Sequence, residues 1–188
     1  MNRNLCSYFI NFVGYQSLWF TAILGGNSFL WAPLIWVTLH VGMSKHRLSE
    51  GLIIVLVTLL GTAWDGVLAA VGYFSYPKQP HLIALPLWHV ALWTGFACTL
   101  RHSMRYMVER PMLMSVCAAL LAPISYAAAY RFGSVDFPYG VAPTLVTVGF
   151  AWGAVCPIVA SIVRFAASDG GLTATDLRSL ITSLRLGT

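Results

Sequence analysis

Apolar residues in this chain fall into long unbroken runs separated by short clusters of Gly, Pro, Ser and charged residues. No ten-residue alternation of apolar and polar positions appears, so a membrane β-barrel is excluded. The runs cover roughly residues 5–24, 28–43, 51–74, 82–100, 112–130 and 141–163. A helical span needs about 20 mostly apolar residues to cross about 30 Å of hydrocarbon. Backbone groups in lipid must be satisfied within the segment, which makes these runs helices. The pattern predicts an all-α integral membrane protein, a bundle of about six transmembrane helices. The second run is short and carries Pro33, and Gly25-Gly26-Asn27 before it makes a tight turn. The first two runs therefore form a helical hairpin. Were it re-entrant rather than spanning, the sides assigned downstream would be unchanged.

Composition agrees with this picture. Hydrophobic residues make up 58% of the 188 and charged residues only 9%, with mean hydropathy +0.74, whereas soluble domains carry about a quarter charged residues. The net charge of +5 resembles a nucleic-acid signature until its distribution is read. Nine of the eleven Lys and Arg residues lie on one side of the expected spans: Arg3, Lys45, Arg47, Arg101, Arg105, Arg110, Arg164, Arg178 and Arg185. Only Lys78 and Arg131 lie on the other. The positive-inside rule then puts both termini in the cytoplasm of a multi-pass inner-membrane protein. The basic groups are dispersed over four segments, which argues against a nucleic-acid partner. Arg3 ahead of an apolar run imitates a signal peptide, but Asn11 and Gln16 interrupt the run and no small-x-small site follows. An uncleaved first helix is expected.

Residues 1–165 thus form the transmembrane domain. Residues 166–188 read as a linker (Ser168-Asp169-Gly170-Gly171) and a short amphipathic helix on the cytoplasmic leaflet. Thr173 and Asp176 suit a capping box, and Leu177, Leu180, Ile181 and Leu184 form a stripe. A frayed tail is the alternative.

Missing motifs exclude several chemistries. There is no H-E-x-x-H, no G-x-S-x-G and no phosphate-binding Gly-rich loop. The five histidines (His40, His46, His81, His89 and His102) are too scattered for di-iron boxes, and no cofactor or metal is expected. Cys6, Cys98, Cys117 and Cys156 contain no C-x-x-C and read as small apolar side chains.

Polar residues inside the spans carry what functional signal there is. Asp65 is the one carboxylate deep in a run. An ionised Asp there costs about 2.5–3.5 kcal/mol on insertion scales, so it needs a partner. Gly61, Asp65, Ala69 and Gly72 share one helix face, which would admit a close neighbour. Asp65 lies about 13 Å from the outer end of its run and His89 about 10 Å from the outer end of the next. The two can therefore meet, either as a proton relay or head-group grip, or as interhelical glue. Trp64, Trp88 and Trp93 on the same helices, Asn11 and Gln16 on the first, and Arg131 near the mouth complete a candidate ligand or proton site. The tryptophans equally suit an interfacial belt. Arg101, Arg105 and Arg110 form a candidate contact for anionic lipid head groups.

These segments carry a resemblance. Asn11-Phe12-Val13-Gly14-Tyr15-Gln16 with Trp19-Phe20, Gly61 with Asp65 and Gly72, Pro86-Leu87-Trp88 with Leu92-Trp93, Gly95-Phe96 and Ser103, Pro123-Ile124-Ser125-Tyr126, and Arg131-Phe132-Gly133-Ser134-Val135 resemble a bacterial inner-membrane protein family of unknown function, the domain of unknown function 2878 family. The likeness runs over about residues 5–155. His89 stands where the family more often has an apolar residue, and Ala122 where a Gly is more usual. The resemblance implies a multi-pass membrane protein. Members are often encoded beside cyclopropane-fatty-acid-synthase-like methyltransferases and flavin-dependent oxidases, which by association suggests membrane-lipid modification. Three roles follow as expectations: an accessory that binds or presents a lipid-like ligand to a lipid-modifying enzyme, a small proton-coupled permease working as a homo-oligomer, or an assembly subunit. With no nucleophile–base pair or metal cluster in the sequence, an enzyme is the less favoured reading.

Overall fold

Proline, glycine and small residues decide where the helices stop and how closely they pack. The computed structural model describes residues 3–76, 81–82 and 85–167. The chain forms α1 (Arg3–Gly25), a 3-10 turn (Gly26–Phe29), α2 (Trp31–Met43) and α3 (Arg47–Ala70). A two-stranded antiparallel hairpin follows, β1 (His81–Leu82) with β2 (Leu85–Pro86). Then come α4 (Leu87–Ala97), α5 (Arg105–Val108), α6 (Pro111–Arg131) and α7 (Val141–Ala167).

The fold is all-α, and three helices (α3, α6 and α7) are long and apolar enough to cross a membrane. The α1 and α2 segments are bent by 119° at their junction and together make a fourth candidate, as a broken span or a re-entrant loop. Six full-length spans are not what the described residues form. At 1.5 Å per residue the 13-residue α2 rises about 20 Å and the 11-residue α4 about 16 Å, both short of 30 Å. The fourth apolar run is shortened from both ends. Pro86 ends the hairpin and caps α4 in extended conformation, and residues 98–104 leave the helix as successive turns. The linker and amphipathic helix expected after residue 167 lie outside the described residues, as does Lys78.

Two interior prolines bind α6 to α7. Pro157 in α7 has no N–H for the carbonyl of Gly153, and the Ser115 hydroxyl of α6 donates to that oxygen instead. Pro123 in α6 likewise frees the carbonyl of Ala119, which faces Gly149 of α7 so closely that an added Cβ would stand 2.9 Å from it. Small residues at the crossing let the two backbones approach. The most extensive of the other helix contacts are α3 with α4 and α7, and α1 with α4, and α2 also packs on α4. The helices thus follow one another in space as α1, α4, α3, α7, α6, leaving an interior between α1 and α6.

Loops draw together over the end of the bundle where α3 and α6 finish. Ser75 and Asp136 exchange both backbone hydrogen bonds, at 3.0 and 2.8 Å, and the Ser134 hydroxyl donates to Ile23 of α1 at 2.6 Å. Gly72 and Gly133 reverse the chain after α3 and α6 at φ of 97° and 69°, values that only glycine adopts freely.

Candidate functional site

The Asp65 side chain has no solvent exposure, sitting one turn before the end of α3. Its Oδ2 accepts from three donors on two other helices. His89 Nε2 lies at 2.9 Å, Trp93 Nε1 at 2.7 Å and the Tyr126 hydroxyl at 2.7 Å. His89 and Trp93 are four apart on α4, so both rings meet one oxygen. Tyr76, just after α3, closes the series with its hydroxyl 3.1 Å from His89 Nδ1. Burial and the Asp65 charge hold the Tyr76 hydroxyl well above its ordinary range, so it stays protonated. The His89 ring thus bridges the Asp65 carboxylate and the Tyr76 hydroxyl through its two nitrogens. Asp65 Oδ1, by contrast, is buried without a hydrogen-bond partner among the described residues. A carboxylate oxygen that only accepts, in a dry site, calls for an O–H or N–H from elsewhere.

This carboxylate lines a cavity of about 280 Å³. From α1 it receives Phe12, Tyr15, Gln16, Trp19 and Ile23, and from α4 Trp88, His89, Leu92, Trp93 and Phe96. On α6 a stripe from Met114 through Ala118, Ala122 and Tyr126 to Ala129 faces it, a length of about 22 Å at helical rise. Trp152 of α7 closes the wall, stacked on Trp93 with centroids 4.5 Å apart and planes 14° from parallel. The space is long and apolar, and Asp65, toward the loop-covered end, is the one carboxylate on its wall among the described residues.

A family model described as "Protein of unknown function (DUF2878)" matches residues 8–158. The chain belongs to the DUF2878 family. No curated protein and no solved structure matches it. The matched region contains the whole of the Asp65 network and every residue of the cavity wall, so in this DUF2878 protein the site lies within the family domain.

The remaining residues singled out in the sequence are distributed as follows. Asp65 and His89 meet, as their helix depths predicted, and Trp93 joins them. Trp88 lines the cavity and its backbone N–H is held by Asn27 Oδ1 at 3.1 Å. Gln16 is exposed on α1 beside the cavity. Trp64 packs into the core outside the cavity wall. Asn11 is spent on the turns after α4: its Nδ2 donates to the Cys98 carbonyl at 3.2 Å, and the Ser103 hydroxyl donates to its Oδ1 at 2.7 Å. That tethers α1 to the turns after α4. Arg131 is exposed beside Asp136 in a separate surface hollow. Arg105 and Arg110 are exposed, paired with Glu109 at 3.0 Å and stacked on Tyr106 at 3.9 Å. Arg101 turns inward to Glu50 at 3.5 Å.

Tyr126 and Trp152 are site residues that spacing alone did not reveal as such. In each, a polar tip on an otherwise apolar helix was the available signal.

Proposed function

We propose that this protein is a multi-pass inner-membrane protein that holds a lipid-like molecule between α1, α4 and α6, as an accessory to membrane-lipid modification. One observation carries the reading: among the described residues a long apolar cavity contains a single buried carboxylate, and one oxygen of that carboxylate has no donor. An acyl or isoprenoid chain suits the apolar stripe, and a hydroxyl or amine at its polar end suits Asp65 Oδ1. An anionic head group at that end is disfavoured by the same charge. The basic residues Lys45, Arg47, Arg101, Arg105 and Arg110 gather at the opposite end of the bundle, which supports a cytoplasmic position for that end. It could there meet anionic lipid and a lipid-modifying enzyme.

The test is native mass spectrometry of the chain released from mild detergent. Wild type is expected to retain one lipid-like molecule per chain. Ala122→Phe fills the middle of the stripe and should lose it, while Leu120→Phe, two positions away and outside the cavity wall, should keep it. Wild type emerging empty, or Ala122→Phe retaining the molecule, overturns the proposal.

The hydrogen-bonded series Tyr76–His89–Asp65 favours a second reading, a proton-coupled permease. The two readings part on one point: a permease moves its substrate in response to a pH gradient, whereas a presenting protein does not.

A further inference from the structure

We infer that His40, Glu50 and His102 form a binding site for a divalent transition-metal ion of the zinc class. The three come from separate elements: His40 from the last turn of α2, Glu50 from the first turn of α3 and His102 from the turns after α4. Their ligand atoms all lie within 4.8 Å of one another. His40 Nε2 is 3.3 Å from Glu50 Oε2 and His102 Nε2 is 3.6 Å from Oε1. Zn–N and Zn–O bonds of about 2.0–2.2 Å in a tetrahedron give a ligand-to-ligand edge of about 3.4 Å. Both separations, one to each oxygen of Glu50, lie near that edge, and the shorter doubles as a hydrogen bond.

A second observation points the same way. His102 Nε2 is shielded from solvent, although the side chain as a whole is about a third exposed, and it faces Glu50 Oε1 at 3.6 Å, too far for a well-made hydrogen bond. A shielded ring nitrogen so loosely paired is costly unless something occupies its lone pair. Two imidazoles and one carboxylate suit zinc, and three protein ligands leave a fourth position for water. The partial exposure of His102 provides the way in. Glu50 is itself buried, which strengthens its attraction for a cation. The Arg101 guanidinium, 3.5 Å from Glu50 Oε1, competes for the same carboxylate. Its side chain is partly exposed and can swing outward. The site stands fifteen residues from Asp65 along α3, about 22 Å, and is independent of the cavity.

The experiment uses the full chain, tag removed and stripped by a chelator, in nanodiscs. Zinc is titrated against a chromogenic competitor, and bound metal is counted by elemental mass spectrometry. One zinc per chain is expected. His102→Asn should weaken binding by at least about 100-fold, since losing even an outer-shell partner of a metal ligand costs up to about that much. His46→Asn, an exposed histidine outside the cluster, should change nothing. Arg101→Gln should tighten binding several-fold, because the competing cation is gone. Thermal unfolding of each variant reports that it is folded. Wild type without stoichiometric zinc, His46→Asn losing as much as His102→Asn, or Arg101→Gln weakening the binding each overturns the site.

Discussion

Asp65→Ala is expected to destabilise the folded chain by about 3 kcal/mol or more, as breaking a buried charged network does. The size follows from what is left behind. His89 Nε2, Trp93 Nε1 and the Tyr126 hydroxyl all point at one oxygen in a site without solvent exposure. Interhelical hydrogen bonds in membranes average only about 0.6 kcal/mol each. The substitution does more than delete three bonds, because it strands three donors, at about 1–3 kcal/mol for each one left unsatisfied. Asp65→Asn is the informative contrast. Its amide oxygen can take the Oδ2 position and keep all three donors, losing only the charge assistance, about 1–2 kcal/mol. Its NH2 then occupies the Oδ1 position and meets an incoming O–H or N–H with another donor. Asp65→Asn should therefore remain folded and lose the ligand. Denaturant unfolding in detergent checks the first part. An Asp65→Ala chain no less stable than Asp65→Asn would mean that the network does not hold the helices.

Gly61→Ala has the next largest expected effect. An added Cβ there would fall inside the Trp93 ring, against Cδ2, Cε3 and Cε2. Trp93 cannot simply retreat, because its other face is stacked on Trp152. Overpacking of this kind costs about 1–3 kcal/mol. Moving the ring also pulls Nε1 away from Asp65. Gly66, five residues on in α3, has open space where a Cβ would go. Gly66→Ala should be neutral, or stabilising by up to about 1 kcal/mol through helix propensity. Unfolding of the two variants, followed by tryptophan fluorescence, separates ring displacement from a general effect of adding a methyl. Equal stability for Gly61→Ala and Gly66→Ala would contradict the close approach of Trp93.

The helical class and the meeting of Asp65 with His89 were legible in the sequence. Both depend on properties that act along one helix: apolar length, and depth counted in residues from a helix end. Gly61 was legible as a place of close approach, but the partner is the Trp93 ring and not a neighbouring backbone. Lengths were misread where tertiary structure cuts a run short. The apolar stretch 82–100 contains Pro86 and leaves the helix after Ala97, so hydropathy alone overstates it. Least legible was the gathering of His40, Glu50 and His102, since ten and 52 residues separate Glu50 from its partners in sequence. Only the bend after α1 and the turns after α4 bring those three together. Cavity residues such as Tyr126 and Trp152 escaped for a similar reason: a concave wall shared by several helices has no signature in any one of them.

The central claim is that the cavity between α1 and α6 holds an apolar chain. Photolabelling with a diazirine-bearing acyl alcohol, followed by peptide mapping, tests it most directly. The account predicts labels on the cavity stripe of α6, at Ala118, Ala122 and Ser125, and on Tyr15 and Trp19 of α1, displaced by excess unlabelled alcohol. Labels confined to outward residues such as Leu120, Ile124 and Phe150, unaffected by competitor, would mean the probe met only the bilayer-facing surface and would contradict the account.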